Sequence, residues 1–132
     1  MLKICIAQAN FQLADRAANL EIIHELLDEA ARGGVDVLVL PELANSGYNF
    51  ETPAEAESVA EVADDGPVCR LLRDWSSSGR LAVSGLCERG TDALYNSAVV
   101  YAGGELLAVY RKTHLFANES SFFRPGAEKP PV

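Results

Sequence analysis

Cysteine, histidine and basic residues are all scarce, and each shortage removes a class of function. The three cysteines, Cys5, Cys69 and Cys87, are odd in number, widely spaced and without a CxxC or CxxH pairing. That excludes a disulfide framework and a cysteine-based zinc site, and they read as reduced, mostly buried thiols of a cytoplasmic protein. The two histidines, His24 and His114, are too few to build a histidine-rich metal centre, and no metal or cofactor is expected. Eleven Lys and Arg stand against 19 Asp and Glu, a net charge of −8, and the basic residues are scattered. A nucleic-acid surface is therefore not expected. No apolar run approaches membrane-spanning length, and the opening MLKICIAQAN lacks a signal-peptide layout. Repeats, linkers and low-complexity segments are missing too, so residues 1–132 read as one domain with a modest core.

What is present is organised around Val35 to Phe50, VDVLVLPELANSGYNF. Five of its first six residues are aliphatic, the pattern of a strand covered on both faces. Pro41 cannot donate to a ladder, so pairing should stop there. Glu42 is then left at the carboxyl end of a buried strand, where open α/β sheets place ligand chemistry. A carboxylate there is partly desolvated, the setting of a general base. Alternatively, Glu42 is a solvated loop residue that ends the strand.

The other elements follow from pattern and punctuation. Lys3 to Gln8 is a short strand. Asp15 to Arg32 is helical, with Leu20, Ile23, Leu26, Leu27 and Ala30 on one stripe and Gly33-Gly34 as its stop. With the strand at Val35 to Leu40 this makes a parallel β-α-β unit. Thr52-Pro53-Ala54-Glu55 is a capping box opening a short helix that ends near Asp64. Pro67 opens another, with Val68, Leu71, Leu72 and Trp75 inward. Strands follow at Arg80 to Glu88, Leu94 to Tyr101 and Leu106 to Tyr110, the last two joined by the hairpin signal Gly103-Gly104. The order predicts a layered α/β fold with a mixed sheet and too few helices to cover it.

Lys112 leaves its strand as Glu42 does, and a lysine held near a carboxylate can stabilise an oxyanion in acyl transfer. An exposed lysine beside Arg111 is the plainer alternative. Glu119 is a loop acid of a kind that usually faces water, Tyr95-Asn96-Ser97 can be sheet packing, and His24, next to the apolar stripe between Leu20 and Leu27, is a helix residue with a satisfied ring rather than a ligand or a base.

Taken in order, Pro41-Glu42-Leu43, Tyr95-Asn96-Ser97-Ala98, Arg111-Lys112-Thr113-His114-Leu115-Phe116 and Phe123-Arg124-Pro125-Gly126 resemble the nitrilase superfamily of carbon–nitrogen hydrolases over essentially the whole chain. The resemblance implies the N-terminal half of a four-layer αββα sandwich with mixed sheets, incomplete at its C-terminus. It implies Glu42 as general base, Lys112 as oxyanion-stabilising lysine and Glu119 as a second glutamate that positions them. The substrate would be a small amide, carbamoyl compound or nitrile, and the complete form would be a homo-oligomer. The family's nucleophilic cysteine follows the lysine, whereas no cysteine follows Cys87 here. The chain therefore reads as a hydrolase half that lacks its nucleophile and is inactive alone. Two other readings remain: a degenerate domain that binds a ligand or partner without turnover, and a metal-dependent phosphoesterase, for which further carboxylates and histidines would have to converge with Glu42.

Overall fold

A computed structural model describes residues 1–127. Its first strand, β1 (Ile4–Ile6), leads through a polar turn into α1 (Arg16–Arg32). Asp15 starts that helix by accepting a hydrogen bond from the Ala18 amide, and the Gly33 amide closes it on the Glu29 carbonyl. Gly34, at φ +64°, then turns the chain in a conformation that suits glycine. Ile23, Leu27 and Ala30 are buried as expected, but Leu20 and Leu26 are only half-buried. Asn19 is buried instead, and its side chain exchanges hydrogen bonds with the Gln12 backbone.

The second strand, β2 (Val37–Val39), is shorter than the aliphatic run and pairs parallel to β1. Its paired run ends at Val39, so the ladder stops by Pro41 as expected. Pro41 lacks a donor but keeps an acceptor, and the Gly85 amide donates to its carbonyl at 3.0 Å.

Thr52 and Glu55 form the expected capping box of α2 (Pro53–Val59). The helix ends well before Asp64, because Ala60 turns extended and Glu61 pairs beside Glu88. The buried Glu61 side chain then reaches α3 (Pro67–Ser76) and accepts from the Val68 amide at 3.0 Å. Gly66, with no side chain of its own, leaves that helix-capping task to Glu61. A Cβ on Gly66 would lie 2.3 Å from the Glu61 carboxylate. Burial pushes the Glu61 carboxyl above the usual carboxylate range, against the pull of the Val68 amide and Asn45. Trp75 is a core anchor as expected, and its indole donates to the Leu27 carbonyl, tying α3 to α1.

Three antiparallel strands complete the sheet: β3 (Leu81–Arg89), β4 (Leu94–Ala102) and β5 (Glu105–Arg111). Gly103 and Gly104 both have positive φ, as their two-residue hairpin requires. The strands lie in the order β1-β2-β3-β4-β5, a mixed α/β sheet. Leu38, Ala82, Leu86, Val99 and Tyr101 face α1 and α3 and form the main core.

The opposite face is apolar and largely uncovered. Register places Ile4, Ile6, Val37, Val39, Val83 and Val100 together there, with Ile4 59% and Ile6 72% exposed. Among the described residues only its upper end is roofed, where Leu43, Phe50, Ala56, Val59, Cys87 and Phe123 form a second cluster. Open apolar faces and unpaired edges promote association. This 132-residue chain is expected to bind a hydrophobic dye and to elute above its 14.2 kDa mass as concentration rises. A concentration-independent monomer that binds no dye would contradict the open face. Among the described residues, no helix is long and apolar enough to cross a membrane.

Candidate active site

Glu42 reaches the site because the chain after β2 lies flat on β3. Gly85 makes this possible: a Cβ there would stand 2.4 Å from the Glu42 Cα. Leu43 then adopts φ +51°, a costly backbone for a leucine, held by burial of its side chain in the second cluster. Asn45 pins the turn. Its carboxamide accepts from the Cys87 amide at 2.7 Å and donates to the Val59 and Cys87 carbonyls, each at 3.3 Å. The strand end that carries Glu42 is thus fixed from three sides.

Lys112 sits one residue past β5, where its amide continues the ladder by donating to the Asn96 carbonyl. Its ammonium lies 2.8 Å from Glu42 Oε1 and 3.0 Å from Glu119 Oε2. Glu119 comes from a 3₁₀ turn, Ala117–Ser121, that periodicity did not reveal. Contrary to the water-facing reading of a loop acid, its side chain is only 6% exposed. It accepts from the Phe116 amide, the Tyr48 hydroxyl, Asn96 and Lys112. The three residues singled out from sequence therefore meet at one point.

Asn96 was missed as a site residue. Tyr95 and Ser97 do pack toward the helix side, but alternation along β4 turns Asn96 the other way. Its side-chain amide donates to Glu42 Oε1 at 2.7 Å and Glu119 Oε1 at 2.8 Å. A buried asparagine inside an apolar strand was the available signal. Arg111 was also passed over. Its guanidinium grips the buried Glu88 carboxylate at 2.6 and 2.9 Å and stacks 3.9 Å from the Tyr95 ring centre. That clamp, on the opposite face of the sheet, holds β5 immediately before Lys112.

Glu42 lies between the two expectations for it, partly desolvated and solvated, because its side chain is 45% exposed. It stands at the lip of a cavity of about 360 Å³ lined by Leu40, Val83, Gly85, Ala98 and Tyr110, on the uncovered face. Glu119 is the buried carboxylate. Burial pushes its carboxyl up, but the Phe116 amide, Lys112, Asn96 and Tyr48 together outweigh that and leave it below the usual carboxylate range. Desolvation pulls Lys112 down, and its two glutamates more than reverse the effect, so it titrates above an ordinary lysine. Tyr48 is pushed up by burial first and by Glu119 next.

A lowered carboxyl in the folded state means that the unfolded chain binds the proton more readily. The stability that Glu119 contributes is present above the ordinary carboxylate range and is lost as pH falls through its lowered folded value. Urea midpoints of the protein and of Glu119→Gln should therefore differ most at neutral pH and converge on acidification. A difference that does not change with pH would show that the charge of Glu119 carries no stability.

The remaining chemistry-bearing side chains lie elsewhere. Cys69 and Cys87 are fully buried, and burial pushes each thiol up to about 12. Neither can serve as a thiolate. His24 faces water and pairs with Asp28, and His114 is exposed beside Thr113. Among the described residues no group of three or more His, Cys, Asp or Glu converges as a metal site would need. The cation between Glu42 and Glu119 is the Lys112 ammonium.

Comparison with known proteins agrees with this frame. The carbon–nitrogen hydrolase family model matches residues 3–132. A nitrilase of Pyrococcus abyssi is 39% identical over 127 residues, which cover 96% of this chain and 48% of that protein. The chloroplastic omega-amidase of Arabidopsis thaliana is 34% identical over 107 residues, covering 78% of this chain and 29% of that one. Among solved structures, an N-terminal amidase bound to an Asn-Glu-Ala peptide superimposes with a TM-score of 0.84 at 26% identity, over 95% of this chain and 31% of that chain. An amidase from Nesterenkonia sp. superimposes with a TM-score of 0.76 at 25% identity, over 99% and 50%. The chain thus spans about half or less of the length of these relatives. With the match running from Lys3 to the last residue, on a fold shared with solved amidases, this chain belongs to the carbon–nitrogen hydrolase family of the nitrilase superfamily.

Proposed function

We propose that this chain is the part of a cysteine-dependent amidase-type hydrolase that carries the base and the oxyanion site, the cysteine coming from sequence outside these 132 residues. The observation that supports it most is the convergence of Glu42 and Glu119 on one ammonium, that of Lys112. The two carboxylates differ in what they have left to offer. Glu119 is engaged through both oxygens, so its role is to position Lys112. Glu42 accepts through Oε1, and no donor among the described residues reaches Oε2. That oxygen is the one available to take a proton.

In the proposed cycle Glu42 removes the thiol proton and the thiolate attacks the amide carbon. The carbonyl π electrons move to oxygen, where the Lys112 ammonium faces the charge. The C–N bond breaks as Glu42 returns its proton to the departing ammonia or amine. Water, deprotonated by Glu42, then cleaves the thioester and releases the acid and the thiol. Substrates of this class are small amides, carbamoyl compounds or nitriles, and no metal takes part.

The test is turnover. Joined to its cysteine-bearing remainder, the protein should release ammonia or an amine from small amides at a rate indifferent to EDTA, and this chain alone should release none. Comparable turnover by the chain alone would remove the proposal. The burial of Cys69 and Cys87 and the open apolar face support a second reading, a binding domain without turnover. The intact mass of the protein from its native source separates the two. A mass near 14.2 kDa favours the binding domain, and about twice that mass favours the hydrolase.

A further inference from the structure

We propose that Asn96 is a positioning residue that holds Glu42 and Glu119 ionised together, so that the base is kept ready by a neutral group as well as by Lys112. The inference rests on the reading of Glu42 as the base.

A carboxamide nitrogen carries two protons, and here each has a different carboxylate to meet. One bond runs to Glu42 Oε1 at 2.7 Å and the other to Glu119 Oε1 at 2.8 Å. Both bonds are stronger to an ionised carboxylate than to a neutral carboxyl, so a proton placed on either acid weakens one of them. Two carboxylates this close would otherwise raise each other's affinity for a proton until one of them kept it. A single ammonium gives the pair one positive charge against two negative ones. Asn96 makes up part of the shortfall without adding charge.

Its own placement is rigid. Asn96 is 3% exposed, and it lies within β4 between Cys87 of β3 and the Lys112 amide that bonds its carbonyl. Among the described residues the charged and titratable groups around it are Glu42 from the loop after β2, Tyr48 from the same loop, Cys87 opposite it on β3, Lys112 from the end of β5 and Glu119 from the 3₁₀ turn. Tyr48 donates to Glu119 alone. Among the described residues Asn96 is the neutral side chain that bonds both acids. This arrangement also leaves a Lys112 proton uncommitted: its ammonium has three, and the two glutamates can occupy two. The third is then free for the oxyanion.

Carboxyl titrations followed by NMR in isotopically labelled protein test this directly. In the unaltered protein the Asn96 side-chain amide protons should shift with the same midpoints as the two carboxyl groups. Asn96→Ala should raise both midpoints by about one pH unit, the worth of one charge-assisted hydrogen bond apiece. Asn96→Asp has nearly the same shape but no donor at neutral pH. It should raise the midpoints further, with partial recovery of the native spectrum on acidification, when the new carboxyl can donate one bond. A packing role predicts that Asn96→Ala, which removes both donors and adds no charge, leaves both midpoints alone, and that result would overturn the proposal. If neither variant folds, the unaltered protein decides, since Asn96 amide protons that ignore the carboxyl titrations overturn it equally. Turnover is not the readout. Shifted midpoints in a protein that never hydrolyses an amide would keep the positioning role and discard the hydrolase.

Discussion

Glu42→Gln in the protein joined to its cysteine-bearing segment should lower kcat by about two to four orders of magnitude, the usual worth of a general base. The fold should survive. Glutamine keeps an oxygen that can accept from Asn96 and Lys112, and it fits the space that Gly85 leaves for the Glu42 backbone. With 45% of the side chain exposed, the lost ion pair is worth only about 0–1 kcal/mol of stability. The expected signature is thus a large fall in kcat with little change in KM or urea midpoint. It is this separation that identifies a base, because a residue needed only for folding would move the midpoint as well. Substantial turnover by Glu42→Gln would sink the assignment.

Lys112→Met should cost about 10²- to 10³-fold in kcat, comparable to the loss of one oxyanion donor. Its consequences for charge set it apart from Glu42→Gln. Without the ammonium, Glu42 and Glu119 face each other with Asn96 and the local donors as their only support, so one of them should hold a proton at higher pH. Residual activity should then require a more alkaline medium than in the unaltered protein. Lys112→Arg should not rescue the rate, since a planar fork cannot set one nitrogen at 2.8 and 3.0 Å from two separate carboxylates and still leave a proton for the oxyanion. A loss below about tenfold in Lys112→Met would place the oxyanion donor elsewhere.

Legibility varied with the range of the interaction. Asp15, the Thr52–Glu55 box, Pro67 and the Gly103-Gly104 pair act within a turn of their neighbours, and each did what local rules require. The end of α2 did not, because Glu61 leaves helical geometry to pair with Glu88, a partner far away in sequence. Glu42 and Lys112 were recoverable because both follow strands, and strand ends in such sheets face a common edge. Glu119 depended on the order of motifs, since a loop acid carries no periodic signal. Asn96 was overlooked because alternation along a strand shows that two faces exist but not which of them meets the site.

By itself, then, the sequence determined the α/β class, the element order, the hairpin and the family, all of which follow from local propensity, alternation and the order of short motifs. The tertiary structure alone decided that Glu42 is half-exposed and Glu119 buried, that Asn96 bonds both, that Arg111 is clamped by Glu88, and that Cys69 and Cys87 are sealed away. Burial and hydrogen-bond partners at a site are properties of residues brought together from distant segments. They come into being when those segments pack.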